Sequence, residues 1–291
     1  MKHAEVRAFQ VKAMDSKPLN VAIIGAGLGG LTLAKTLLTH GEGRVRVTIY
    51  EAWSEWKVRG GALGLVAGRR VLEALGLEKG LAHVANGMAD PIELRYFAGH
   101  QQLSSMALPA CIGMRTDLQQ LLVSALPEGT VKLGHKLVDI VEKEDEVLLS
   151  FENGVKASAD LVVASDGIHS FVRQRIFGMD QPVYTGFRVL YSVCSKPIRP
   201  DPLKAHVTWN EREKQGYGIL DLTAGVGDGR RDLCILIMRS EELDNERWDS
   251  TIVKERLAEI AMKAMPEHEV LQQALEHAEV CFDWGIYRQP F

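Results

Sequence analysis

The first strongly apolar stretch of the chain, Val21-Ala-Ile-Ile24, is short, rich in β-branched residues and closed by glycines. With no polar face it predicts a strand buried on both sides, as in a parallel sheet. Leu28, Leu31, Leu33, Leu37 and Leu38 then mark the face of a helix, Gly41 to Gly43 end it, and Val45 to Tyr50 return as a second strand. Such a βαβ connection is nearly always right-handed and places both strands in one parallel sheet. Helical spacing recurs over 71–84, and two strands, Ile92 to Phe97 and Gln101 to Met106, flank Gly99. A helix is expected after Thr116. Period-two segments follow at 131–133, 136–143, 146–151 and 155–157. They are broken by Pro127-Glu-Gly129, Glu144-Asp145 and Asn153-Gly154, and so predict a meander that leads into the apolar strand Leu161 to Ser165.

From Pro182 onward the strands lengthen. Stretches at 187–194, 205–209, 217–223 and 232–238 read as a second, sheet-rich region, followed by helices over 250–265 and 268–277 and a last strand over 280–287. The pattern divides the chain into an N-terminal tail over 1–17, a nucleotide-type α/β domain over 18–181 and a sheet-rich region over 182–291. A hydrophobic fraction of 46% is enough for a sizeable core. The 34 basic residues are outnumbered by 38 acidic ones, so no basic field favours nucleic acid as a partner. Cys111, Cys194, Cys234 and Cys281 lie far apart, without the paired spacing of a zinc cage or a disulfide framework. No metal site is expected, and a reducing, cytoplasmic setting fits. The first residues lack the apolar core of a secretory signal, and no run reaches the roughly 20 apolar residues of a membrane-spanning helix.

Chemistry enters at Gly25-Ala-Gly27-Leu-Gly29-Gly30, a G-x-G-x-x-G between the predicted strand and helix. Gly25 suits the tight turn, Gly27 lets backbone approach a pyrophosphate, and Gly30 permits close strand-helix packing. The helix start then offers free amides and the positive end of its dipole. Glu51 closes the second strand where a carboxylate accepts hydrogen bonds from a ribose and repels a 2′-phosphate, so the site suits FAD or NAD and disfavours NADP.

Three further clusters accompany the fingerprint. Leu161-Val-Val-Ala-Ser-Asp166-Gly167-Ile-His-Ser170-Phe-Val-Arg173 is a buried strand ending in an acid-glycine turn, with Ser170 placed to cap the helix that follows. Met114-Arg115-Thr116-Asp117-Leu118-Gln119 contains a capping box, Thr116 with Gln119, which leaves Arg115 without a local explanation. Arg59-Gly60-Gly61-Ala62-Leu63-Gly64 is a glycine-rich loop soon after Glu51. Read alone, each is equally a strand exit, a helix start or a plain glycine loop.

In this order over residues 21–178, the four clusters resemble the single-component flavin aromatic hydroxylases, the family of para-hydroxybenzoate and salicylate hydroxylases. The resemblance implies an α/β fold, with a Rossmann-like FAD-binding domain of parallel sheet and β-meander beside a sheet-rich substrate region. It implies FAD contacts from Gly25, Gly27, Gly30, Glu51, Gly61, Gly64, Arg115, Asp166, Gly167 and Arg173. NAD(P)H is implied as the transient reductant of FAD, with O2 and a small aromatic substrate as the other partners. A flavin hydroperoxide then hydroxylates a phenol or aromatic acid. In the second region Arg188 is a candidate to hold an anionic substrate and Tyr217, between Gly216 and Gly218, a candidate catalytic hydroxyl, with Tyr191 and His206 behind them.

The Gly-Asp segment with Ala-His and a later proline, which such hydroxylases carry after their substrate strands, has no counterpart before Phe291. A chain truncated ahead of that segment, with weak FAD retention, is therefore expected. Two alternatives stay open: a non-hydroxylating flavin oxidoreductase and a non-catalytic protein of the same fold. Halogenase relatives are disfavoured, because no Trp-x-Trp-x-Ile-Pro is present.

Overall fold

The central strand of the first layer, β1 (Leu19–Ile24), is flanked on both sides by parallel neighbours in a computed structural model of the chain. The structure describes residues 17–56, 61–86, 92–98, 101–108, 110–178, 181–194, 204–210, 215–221, 232–241, 255 and 269–290. β2 (Val45–Tyr50) lies on one side of β1 and β12 (Leu161–Ala164) on the other. β8 (Val131–Lys132) completes a four-stranded sheet beyond β2. The sequence pattern assigned 131–133 to the meander, but these residues sit beside Ile49 and Tyr50 in the parallel sheet. A two-residue strand is too short to reveal its partner by periodicity.

Alternate residues of β1 explain its uniformly apolar composition. Val21 and Ile23 face helix α1 (Leu28–His40) and a core shared with Leu31, Ile49, Leu118 and Leu122. Ala22 and Ile24 face the opposite layer, with Leu149 and Phe151. Complete burial of a side chain such as Ile23 stabilises by about 1.5–3 kcal/mol, and here both faces of the strand contribute. The opposite layer is the predicted meander: β9 (Leu137–Glu142), β10 (Val147–Phe151) and β11 (Lys156–Ala159), antiparallel in the order β11-β10-β9.

Helical spacing over 71–84 resolves into two helices, α2 (Gly68–Ala74) and α3 (Glu78–Val84). The break falls at Gly76, whose φ of 75° ends α2 in the left-handed region. Leu72 and Leu81 still reach the same core. That face is completed by α4 (Arg115–Ser124), which packs against α1 and α3. A small sheet, β3 (Ala62–Leu65), β7 (Cys111–Met114) and β4 (Ala85–Asn86), precedes α4.

The second large sheet has seven strands in the order β17-β13-β16-β15-β14-β5-β6. Its members are β5 (Ile92–Ala98), β6 (Gln101–Leu108), β13 (Val183–Cys194), β14 (Lys204–Asn210), β15 (Gln215–Asp221), β16 (Asp232–Arg239) and β17 (Ala278–Arg288). All pairings are antiparallel except β14 with β5. The early hairpin β5–β6 thus extends the sheet formed by the C-terminal half. α5 (Phe171–Phe177) follows β12, and α6 (Glu269–Glu276) packs on β13, where the Ser192 hydroxyl donates to the Ala274 carbonyl at 3.2 Å. Of the expected helix over 250–265, all but residue 255 lies outside the described residues. Among the described residues no helix is long and apolar enough to cross a membrane.

Candidate functional site

The turn between β1 and α1 is built by steric necessity at two glycines and left open at a third. Gly25 has φ 101°, and a Cβ there would lie 2.4 Å from the Ser165 carbonyl oxygen at the end of β12. A Cβ on Gly30 would come within 2.3 Å of the Gly25 carbonyl oxygen. At Gly27, which faces a cavity, a Cβ would meet nothing within 4 Å. Gly27 is also the N-cap of α1. No side chain caps this end and the first turn carries no acidic residue, so the helix presents its first amides and its dipole without an anion from its own first turn. Such an end favours a phosphate.

Glu51 stands against this turn. One carboxylate oxygen accepts from Ala26 N–H at 2.8 Å and the other from Trp53 N–H at 3.0 Å. The carboxylate is therefore held at the cavity wall beside the amide loop, as the fingerprint requires.

The strand exit after β12 forms a second anchored turn. Asp166 accepts from the Ser170 hydroxyl at 2.5 Å and from Val172 N–H at 3.1 Å, while Ser170 Oγ accepts from Arg173 N–H at 3.0 Å. Gly167 between them has φ 83°. The expected Ser170 cap is thus formed, and Asp166 shares the work of capping the start of α5. Ser170→Ala is expected to lower stability by about 1 kcal/mol, read as a drop in the urea midpoint, because the cap and one support of Asp166 vanish together. An unchanged midpoint would show that solvent replaces both bonds.

The cavity, about 730 Å³, is walled on one side by these turns and on the other by the seven-stranded sheet. Its lining includes Gly25, Gly27, Glu51, Gly61, Arg115, Asp166 and Gly167. The main chain fixes Arg115 here, because its N–H donates to the Gly61 carbonyl at 3.0 Å. Gly61 in turn is pressed against Tyr191, whose ring a Cβ would approach to 2.5 Å. Tyr191 packs on Trp284 at 5.2 Å between ring centroids, and both line the cavity with Tyr287 and His169, themselves 5.7 Å apart. Burial pushes the Tyr191 hydroxyl pKa upward, so the group stays protonated at neutral pH and can donate.

Several expected residues sit elsewhere. Gly64 lies within β3, paired with Ile112, and does not line the cavity. Gly30 is buried behind the turn and acts through packing. Arg173 turns back to donate to the Ile168 carbonyl, bracing the loop rather than facing the cavity. Arg188 is buried in an ion pair with Asp283, its Nε donating at 2.8 Å, and is not available to hold a substrate anion. Among the second-region candidates Tyr191 is the one placed on the cavity wall, while the side chains of His206 and Tyr217 lie outside the described residues, as do Arg59 and Gly60.

The capping box of Thr116 with Gln119 does not form. Met114 is the N-cap of α4, no side chain caps it, and Gln119 instead donates from Nε2 to the Ala26 carbonyl at 2.7 Å. Gln119, Trp284, Tyr287, His169 and His135 were missed as wall residues. Trp284 and Tyr287 share β17 while the other three come from separate segments, and no short motif joins the set.

A βαβ phosphate turn with a strand-end carboxylate, facing an aromatic wall across one cavity, defines a dinucleotide-cofactor protein whose second sheet walls the same cavity. The chain belongs to the FAD binding domain family, which matches residues 18–281. It is 35% identical over 199 residues to a 3-amino-4-hydroxybenzoate 2-monooxygenase of Streptomyces cremeus, covering 64% of this chain and 49% of that one. Identity is 26% over 199 residues to a 6-hydroxynicotinate 3-monooxygenase of Pseudomonas fluorescens, covering 63% and 49%. The chain spans about half the length of these curated relatives. Its fold matches Klebsiella pneumoniae HpxO complexed with FAD and uric acid, with a TM-score of 0.77 at 19% identity over 94% of this chain and 69% of that one. A 2,6-dihydroxypyridine-3-hydroxylase of Arthrobacter nicotinovorans matches with a TM-score of 0.77 at 17% identity, over 93% and 73%.

The residues present fit FAD. An open Gly27 faces free helix amides, a fixed carboxylate stands one strand away, and the cavity volume falls within the range of ligand sites, roughly 300–1,000 Å³.

Proposed function

We propose that this chain forms the FAD-binding part of a monooxygenase that uses NAD(P)H and O2 to hydroxylate a small phenolic or heteroaromatic acid. One observation carries the reading: a phosphate cradle and an aromatic wall from a different sheet line the same cavity. The names of the relatives, an aminohydroxybenzoate and a hydroxynicotinate monooxygenase, support the substrate class. FAD, when bound, supplies the electron transfer and oxygen activation for which side chains have no equivalent.

The chain's own residues hold, orient and shield. Amides at Gly27 and the start of α1 would grip the diphosphate, and Glu51 would accept from ribose hydroxyls. Arg115 and Asp166 border the same space, with Asp166 fixed by Ser170 and Val172. Tyr191 and Trp284, with ring planes tilted 53° to each other, offer an apolar aromatic wall beside one protonated hydroxyl, suited to orienting a planar ring and keeping water from it.

Glu51→Ala is expected to raise the FAD Kd about tenfold to a hundredfold, as loss of charge-assisted hydrogen bonds does, with the circular dichroism spectrum unchanged. Fluorescence titration of the purified chain with FAD measures this directly. Failure of the unaltered chain to take up FAD at micromolar concentration sinks the cofactor assignment. Uptake of FAD without NAD(P)H oxidation in the presence of any hydroxylated aromatic acid sinks the monooxygenase assignment alone.

A further inference from the structure

Ala26, the one residue between the first two glycines of the turn, is completely buried and held at both ends of its backbone. Its N–H donates to Glu51 at 2.8 Å, and its carbonyl accepts from Gln119 Nε2 at 2.7 Å. The two partners come from different layers, Glu51 from the end of β2 and Gln119 from α4, 93 residues along the chain from Ala26.

The hold on the carbonyl has a geometric consequence for its neighbour. The Ala26 carbonyl and the Gly27 N–H belong to one planar peptide unit, and every described peptide is trans. In a trans unit the carbonyl and the N–H point in opposite directions. Drawing the carbonyl toward α4 therefore turns the Gly27 N–H away from α4. Among the described residues no group accepts from that N–H, and Gly27 is on the cavity wall.

Gln119 is suited to the task. It is only 8% exposed, its amide nitrogen is engaged on the carbonyl, and its residue also borders the cavity. A carboxylate at the same place would set negative charge against a carbonyl oxygen, and an apolar side chain would leave that oxygen buried without a donor. Either change frees the peptide unit to rotate.

We infer that Gln119 is a positioning residue for the diphosphate site, setting the Gly27 N–H toward the cofactor through the Ala26–Gly27 peptide unit. The role rests on the FAD reading above, and it requires no contact between Gln119 and the cofactor.

Two variants, Gln119→Leu and Gln119→Glu, compared with the unaltered chain by FAD fluorescence titration and by thermal melting without FAD, test it. Gln119→Leu keeps the side-chain volume but leaves the Ala26 carbonyl without its donor, so it is expected to weaken FAD binding about tenfold while lowering the cofactor-free melting temperature by only a few degrees, with the fold retained. An equal FAD Kd, or a loss of melting temperature with no loss of affinity, overturns the positioning role and leaves Gln119 a packing residue. Gln119→Glu adds an arm that survives a folding defect in the first variant. Burial beside a carbonyl raises a glutamic acid above about pKa 4.3, and its protonated form regains a donor. Its FAD affinity relative to the unaltered chain is expected to recover as the pH falls from about 8 to about 5.5. A ratio that does not move with pH overturns the role. No FAD binding by the unaltered chain at either pH overturns this role together with the cofactor assignment, whereas loss of binding confined to the variants separates the two.

Discussion

Gly25→Ala is expected to destabilise the protein by about 3 kcal/mol or more, whereas Gly27→Ala leaves the melting temperature nearly unchanged and abolishes tight FAD binding. Both substitutions add one methyl group, and the sites are two residues apart. At Gly25 the backbone φ of 101° is strained for any residue with a Cβ, costing on the order of 1–3 kcal/mol. The added carbon would also stand 2.4 Å from the Ser165 carbonyl oxygen, and its three nearest atoms, from Ser165 and Asp166, are all backbone just after β12, with no flexible side chain to move aside. At Gly27 the backbone is extended, with φ −69° and ψ 172°, which alanine adopts without strain, and the new methyl meets no protein atom. It projects instead where a diphosphate must lie against the helix amides. Differential scanning calorimetry and FAD titration on both variants check this. A Gly27→Ala protein that binds FAD as the unaltered chain does would move the diphosphate away from this turn.

The contrast shows what was legible in the sequence. Gly25, Gly27, Gly30 and Glu51 were readable because their spacing, between an apolar strand and a helix, encodes a local geometry that few other arrangements require. β1 and β2 were readable for the same reason, as was the meander, whose period-two pattern survives with one exposed and one buried face. Ser170 was readable as a cap because capping is decided within four residues. What failed was decided at long range. Gln119 fits a local capping box as written, yet the amide it reaches for is the carbonyl of Ala26, which wins because burial makes that acceptor costly to leave unpaired. The break at Gly76 was hidden by leucines that keep helical spacing through it, since α2 and α3 pack the same face against one core.

The second sheet was harder still. Its strands were located, but their order is set by pairings between distant segments, such as β14 beside β5, which leave no mark on the local pattern. Which side chains line the cavity followed from that order. Tyr191 and Trp284 meet because β13 and β17 are paired, with Val189 opposite Trp284 and Tyr191 opposite Phe282. Sequence reasoning placed Arg188 ahead of Tyr191, three residues apart on one strand. Alternation along β13 separates them: Tyr191 reaches the cavity and Arg188 the interior.

Arg188 and Asp283 carry the other large expected effect, and it tests what fixes that pairing. Both side chains are essentially inaccessible, at 2% and 0% exposure, with the guanidinium 2.7–2.8 Å from one carboxylate oxygen. They come from β13 and β17, the two strands that supply Tyr191 and Trp284 to the cavity. Removing one partner strands a charge in the interior, so Arg188→Met and Asp283→Leu are each expected to cost about 3–5 kcal/mol. The double variant Arg188→Met/Asp283→Leu is expected to cost less than either single change, since two apolar groups of similar length leave no charge to desolvate. Urea denaturation of the three variants measures both statements at once. Additive losses would mean that the pair contributes through its separate packing contacts, and the ionic link between the two strands that carry the aromatic wall would then be incidental to their register.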